Sequence, residues 1–182
     1  MLPECFQTPI EGLKLIKPAV FSDQRGYFTE SYNQSDFSDL GITDKFVQDN
    51  RSLSAKGALR GMHFQKPPFA QAKLVLVISG SVLDVVVDIR KNSKTYGQHY
   101  SVVLSAENFL QLYIPEGFAH GFLTLEDNTI FLYKCSNYYS KQSEDGLLWN
   151  DPALAIPWGI AEPLLSDKDN KLTGFDKFTS PF

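Results

Sequence analysis

The 182-residue chain is sparing with the residues that usually announce a function: two cysteines, three histidines, four arginines, and no apolar run approaching the 18 residues that would mark a membrane-spanning helix. Cys5 and Cys135 stand far apart, without metal-type spacing, so neither a disulfide framework nor a zinc knuckle is expected; they read as reduced thiols of a cytoplasmic protein. Positive charge is also scarce. A net charge of -4 leaves no broad basic field, which excludes nucleic acid and an anionic membrane as partners, while a local cluster of the few arginines still suits a small anion. Met1 to Leu15 carries Glu4 and Glu11 and lacks the apolar stretch of a signal peptide. No repeat, linker or low-complexity segment interrupts the chain, and its length suits one core, so residues 1–182 are expected to form a single domain.

What is abundant is β-favouring sequence. Leu13–Val20, Tyr27–Tyr32, Phe46–Leu53, Ala58–Gln65, Ala72–Ile78, Val82–Arg90, His99–Leu104, Phe109–Ile114, His120–Leu125 and Thr129–Asn137 are short runs separated by Gly, Pro, Asn, Asp and Ser. One short helix is expected at Ser35–Leu40, ended by Gly41. Ten strands at this spacing predict an all-β sandwich, jelly roll or barrel. Beyond Asn150 the prolines at 152, 157 and 163 and the charged run Asp167–Lys171 predict a tail packed over that barrel.

Within Leu59-Arg60-Gly61-Met62-His63-Phe64-Gln65 a guanidinium and an imidazole lie three positions apart beside a glycine. Strand alternation sends Arg60 and His63 to opposite faces, so a shared pocket requires a bulge or kink at Gly61. Lys73 shares a face with Val75 and Val77, either snorkelling at an edge or placed in a pocket. Asp84 and Asp88 share a face with Val82 and Val86, which is expected to be solvated unless it lines a cavity, while Leu83, Val85, Val87 and Ile89 pack a core. A Pro115–Gly117 turn delivers His120 to the start of a strand, and His99 lies in a polar stretch expected to be exposed. Tyr133 and Tyr139 have equal parity, so both fit one cavity.

His63 has no neighbouring histidine or glutamate of the kind a metal-binding barrel supplies, so no metal is expected. Neither cysteine adjoins a histidine in sequence, and there is no nucleophile elbow or phosphate-cradling glycine loop. Acid–base chemistry remains: imidazole, ammonium and phenol supply the base, the enolate-stabilising cation and the acid for proton abstraction next to a carbonyl.

Taken in order, the Arg60–His63 segment, the Lys73 strand, Asp84–Arg90, Ile114–Phe122, Phe131–Tyr139, Trp149-Asn150-Asp151-Pro152 and Ser166-Asp167-Lys168-Asp169 resemble the dTDP-4-dehydrorhamnose 3,5-epimerase family from about Asp23 to Asp169. The family more often carries Leu and Tyr in place of Met62 and Phe64, and Pro in place of Gly159. The resemblance implies a cupin-type jelly roll, a homodimer, no metal and no dissociable cofactor. It also implies conversion of dTDP-4-dehydro-6-deoxy-glucose to dTDP-4-dehydro-L-rhamnose, in dTDP-rhamnose synthesis, by epimerisation at C3 and C5. On this resemblance His63 is the base, Asp169 orients it, Lys73 holds the enolate oxygen and Tyr133 returns a proton from the opposite face. Arg25, Glu30, Gln48, Asp49, Asn50, Arg60, His120, Glu144 and Lys168 would hold the nucleotide sugar, with Tyr139 stacked on the thymine. The competing readings are a relative that epimerises C3 or C5 alone, a catalytically silent nucleotide-sugar binder and, more remotely, a metal-dependent cupin oxygenase.

Overall fold

A computed structural model describes residues 2–182. Its strands are β1 (Glu4–Gln7), β2 (Lys14–Lys17), β3 (Val20–Asp23), β4 (Gly26–Thr29), β5 (Gln48–Ser54), β6 (Leu59–Gln65), β7 (Lys73–Ser79), β8 (Ser81–Asp88), β9 (His99–Ser105), β10 (Gln111–Ile114), β11 (Phe118–Thr124), β12 (Thr129–Cys135) and β13 (Glu144–Gly146). All strand pairings are antiparallel and form two large sheets, β1-β2-β10-β7-β12-β5 and β13-β6-β11-β8-β9, with β3 and β4 as a separate hairpin. This is the expected jelly-roll arrangement.

Alternation along the strands decides where the core sits. Val75, Val77, Leu112, Ile114 and Phe131 of the first sheet meet Val82, Val86, Phe118 and Phe122 of the second in an interior cluster. The other faces of β6, β8 and β11 bury Met62, Phe64, Val85, Val87 and Leu123 under the C-terminal segment, through Leu147, Trp149, Leu154 and Trp158. Phe175, Phe178 and Phe182 pack onto the same cluster, so the tail covers the barrel as its composition suggests. Parallel bridges Ala58↔Leu164 and Leu147↔Thr173 fasten the segment between Leu164 and Thr173 at both ends. No helix among the described residues is long and apolar enough to cross a membrane.

Several boundaries move for identifiable reasons. Leu13–Val20 divides into β2 and the start of β3, because Pro18 lies between them and has no N–H for a sheet ladder. The helix, α1 (Gln34–Asp39), begins before Ser35: Asn33 is the N-cap, its side chain accepting from the Ser35 N–H at 3.0 Å. It ends as expected, with Gly41 at φ 75°. The last long run stops at Cys135, so Tyr139 lies in a loop beyond β12.

Asp84 and Asp88 are the clearest correction, since both are 0% exposed and the face they share is not solvated. Asp88 is satisfied by a bidentate Arg90 guanidinium (2.9 and 2.7 Å) and by the hydroxyls of Ser93 and Thr95, each at 2.6 Å. Burial pushes its carboxyl upward, yet these donors prevail and hold the pKa at about 2. Asp84 faces the interior. His99 is also not freely exposed, because its ring is half-buried and Nδ1 lies 3.1 Å from the Leu154 carbonyl oxygen.

Candidate active site

A cavity of 490 Å³ is lined from both sheets by Arg60, His63, Lys73, His120, Phe122, Phe131, Tyr133, Lys168 and Asp169, among others. A second lobe of 380 Å³ adds Gln48, Asn50, Tyr139 and Glu144, and the two share His63, Lys73 and Tyr133. The groups with acid–base capacity therefore stand where the two lobes meet.

Arg60 and His63 reach the same cavity by way of the predicted irregularity. Along β11 the partners His120↔His63 and Phe122↔Arg60 are two residues apart, whereas on β6 they are three apart, so one extra residue is inserted around Gly61. Gly61 has φ 148°, and a Cβ there would lie 2.4 Å from the Gly121 Cα. Only glycine fits that contact.

His63 Nε2 lies 2.5 Å from Asp169 Oδ1, and Asp169 is buried with its N–H donating to Ser166 Oγ at 3.1 Å. Burial works to raise the Asp169 carboxyl, but the His63 contact, Ser166 and the Lys168 charge outweigh it and leave the group below the usual carboxylate range. Facing this dyad from the other sheet, Tyr133 is raised chiefly by burial and stays a neutral phenol at ordinary pH. Lys73 Nζ lies 6.0 Å from the Tyr133 ring centre. Burial lowers the pKa of that ammonium, while Cys135, Asp84 and Glu144 act to raise it. Lys73 is thus in a pocket, not snorkelling at an edge.

The remaining contacts fix the walls. Arg60 Nε donates to Ser54 Oγ at 3.1 Å. His120 Nε2 meets Asp84 Oδ2 at 2.9 Å inside the barrel. Gln48 Nε2 donates to Asn50 Oδ1 (3.1 Å), and Gln48 Oε1 accepts from the Tyr139 N–H (3.1 Å). The Tyr139 hydroxyl donates to Glu144 at 3.0 Å, and Glu144 also pairs with Lys168 across the mouth. Burial pushes Glu144 upward; the Lys168 and Tyr139 hydrogen bonds reverse this and lower it.

Three of the sequence-predicted residues are not in this cavity. Asp49 alternates with Gln48 and Asn50, so it points to the outer face of β5 and pairs with Lys134 at 3.0 Å. Arg25 sits at the tip of the β3–β4 hairpin, its side chain 85% exposed and paired with Asp23 at 2.6 Å. Glu30 lies beside that hairpin and accepts from Asn33 Nδ2 at 3.3 Å. Tyr139 does join Tyr133, but from a loop and not through shared strand parity.

Sequence reasoning gave no role to Ser54, Ser166 or Gln65. Ser54 is two residues beyond Ser52 on the face that already carries Gln48 and Asn50, so period-two alternation was a sufficient signal for it. Gln65 is buried and ties the Tyr139 loop down, donating to the Phe69 and Tyr138 carbonyls (2.7 and 3.1 Å) and accepting from the Ser140 N–H (2.6 Å). Among the described residues no three His, Cys, Asp or Glu side chains converge as metal ligands.

This geometry has close relatives. The family model for dTDP-4-dehydrorhamnose 3,5-epimerase matches residues 7–177. The dTDP-4-dehydrorhamnose 3,5-epimerase of Shigella flexneri is 53% identical over 164 residues, 90% of this chain and 91% of that protein. The Bacillus anthracis dTDP-4-dehydrorhamnose 3,5-epimerase, crystallised with TDP and PPi bound, superposes with a TM-score of 0.93 at 50% identity, covering 94% of this chain and 99% of that one. The Legionella pneumophila dTDP-6-deoxy-D-glucose-3,5-epimerase, in complex with dTDP-4-keto-L-rhamnose, gives 0.93 at 46% identity over 97% of this chain and 95% of that one. The family model spans nearly the whole chain, and relatives about half identical in sequence cover it almost end to end with the same cupin-type jelly roll: the chain belongs to the dTDP-4-dehydrorhamnose 3,5-epimerase family.

Proposed function

We propose that the chain, acting as one epimerase domain without a dissociable cofactor, converts dTDP-4-dehydro-6-deoxy-glucose to dTDP-4-dehydro-L-rhamnose, using His63 as base and Tyr133 as acid. The observation that carries this reading is their opposition. His63 stands on β6 of one sheet and Tyr133 on β12 of the other, with the cavity between them and Lys73 beside Tyr133.

The C4 ketone makes the hydrogens on C3 and C5 acidic, so both centres are open to the same chemistry. His63 removes the C3 proton, the electron pair moves toward C4, and an enolate oxygen forms. The Lys73 ammonium stabilises that charge as it develops, while Asp169 stabilises the imidazolium and holds the ring in one orientation. The Tyr133 phenol delivers a proton to C3 from the opposite face, the ketone re-forms and the configuration is inverted. After solvent resets the two groups, the same sequence acts at C5. The pyrophosphate belongs with the cations Arg60 and Lys168 and with His120, and the thymine with the exposed Tyr139 ring and with Gln48, Asn50 and Glu144 in the second lobe.

Arg25 and Glu30 enter this reading through a second copy of the chain. The hairpin that carries Arg25 also exposes Phe28 (68%), Tyr27 and Phe21, an apolar surface that suits burial against another protomer in a homodimer. A cytoplasmic setting accords with the two free thiols, Cys5 and Cys135.

The test is His63→Asn, which keeps size and polarity but removes the base. Calorimetry should show dTDP binding within a few fold of wild type, and turnover should fall by about 100-fold or more. Strong residual turnover would place the base elsewhere.

A further inference from the structure

Asp84 has one buried carboxyl oxygen without a partner. Strand β8 turns Val82, Asp84 and Val86 inward, and β7 turns Lys73, Val75 and Val77 inward from the opposing sheet. The four valines belong to one cluster, so Asp84 and Lys73 bracket the same interior. Asp84 is 0% exposed; Oδ2 lies 2.9 Å from His120 Nε2, whereas Oδ1 is buried with no hydrogen-bond partner. A buried carboxylate oxygen left bare is costly and calls for a role. Among the described residues Lys73 has no carboxylate within ion-pair distance.

We propose that Asp84 is a positioning residue for the epimerisation: the shared counter-ion of His120 and Lys73, orienting the His120 ring and holding the Lys73 ammonium ready to receive enolate charge. The inference rests on the role given to Lys73 above. Around Lys73 stand Tyr133 and Cys135 from β12, His63 and Arg60 from β6, His120 from β11, Glu144 from β13 and Asp84 from β8. Burial works against the ammonium, and Cys135, Asp84 and Glu144 oppose it. Burial also raises the Cys135 thiol, which is therefore neutral at ordinary pH and contributes no charge. Glu144 is already paired with Lys168 and bound by Tyr139. Asp84 is the carboxylate left to balance Lys73.

The experiment is Asp84→Asn, which preserves shape and an acceptor for His120. The Lys73 amine is titrated by NMR of ¹³C-labelled lysine, its signal assigned by its loss in Lys73→Met. The expected result is a Lys73 pKa at least one unit lower, with the alkaline limb of kcat displaced to lower pH by the same amount and dTDP affinity within about twofold. An unmoved Lys73 titration would overturn the inference. Should Asp84→Asn fail to fold, Asp84→Asn/His120→Asn removes the dyad together, and the titration is read by the same criterion. Lys73→Met separates the two claims: if it abolishes turnover while the titration in Asp84→Asn stays put, the counter-ion alone is refuted; if it turns over like wild type, the role of Lys73 falls, and with it the proposal.

Discussion

At the scale of single residues, a side chain's partners decide its chemistry more than its identity does. Asp88 and Asp84 are neighbours on one strand face, both buried, yet one is saturated with donors and the other is half bare. Asp88 is held at about 2, below the 3.8 of the unreacted group, so its contribution is fully present above pH 4 and is lost as pH falls toward 2. That depression corresponds to roughly 2 kcal/mol. Asp88→Asn should lower stability at pH 7 by about that much and flatten the acid side of the stability curve between pH 4 and pH 2, as read by denaturant melts across pH. An unchanged acid limb would mean that other carboxylates govern it. The burial of this pair was not legible beforehand, because a face that mixes Asp84 and Asp88 with Val82 and Val86 reads the same whether it meets water or a lined cavity.

At the scale of elements, β6 holds the site together. The parity conflict between Arg60 and His63 was visible in the sequence, and with it the requirement for a bulge at Gly61, since a regular strand cannot bring both to one face. The observed register shift and the 2.4 Å approach to Gly121 are its physical form. Gly61→Ala should therefore destabilise the protein by about 3 kcal/mol and reduce turnover, measured by chemical denaturation and by assay of the folded fraction. A fully stable, fully active Gly61→Ala would contradict this account of β6. Most strand positions were equally readable, and on β5 alternation separates outward Asp49 from inward Gln48, Asn50 and Ser54, although Asp49 was expected in the cavity with Gln48 and Asn50. What eluded sequence was loop geometry: Gln65 and Ser166 act by fixing segments that have no periodicity, and the helix starts one residue before the expected Ser35 because the Asn33 side chain caps it by accepting from the Ser35 N–H.

At the scale of the whole molecule, seven motifs in order gave the family, but not how many chains complete a site. Arg25 and Glu30 lie away from the cavity of their own chain. If a partner's hairpin completes each site, Arg25→Ala and His63→Asn homodimers should each be weak or inactive. Mixed heterodimers should regain activity, because one of their two sites combines a native hairpin with a native His63. No recovery after verified subunit exchange would mean that Arg25 serves its own chain or none.

The central claim is that one enolate-forming site treats both carbons flanking the ketone. Incubation with dTDP-4-dehydro-6-deoxy-glucose in deuterated water, followed by NMR of the sugar, tests it most directly. The account predicts solvent deuterium at both C3 and C5 and formation of the L-rhamno product, with both signals lost in His63→Asn. Incorporation at one carbon alone, or at neither, would contradict it.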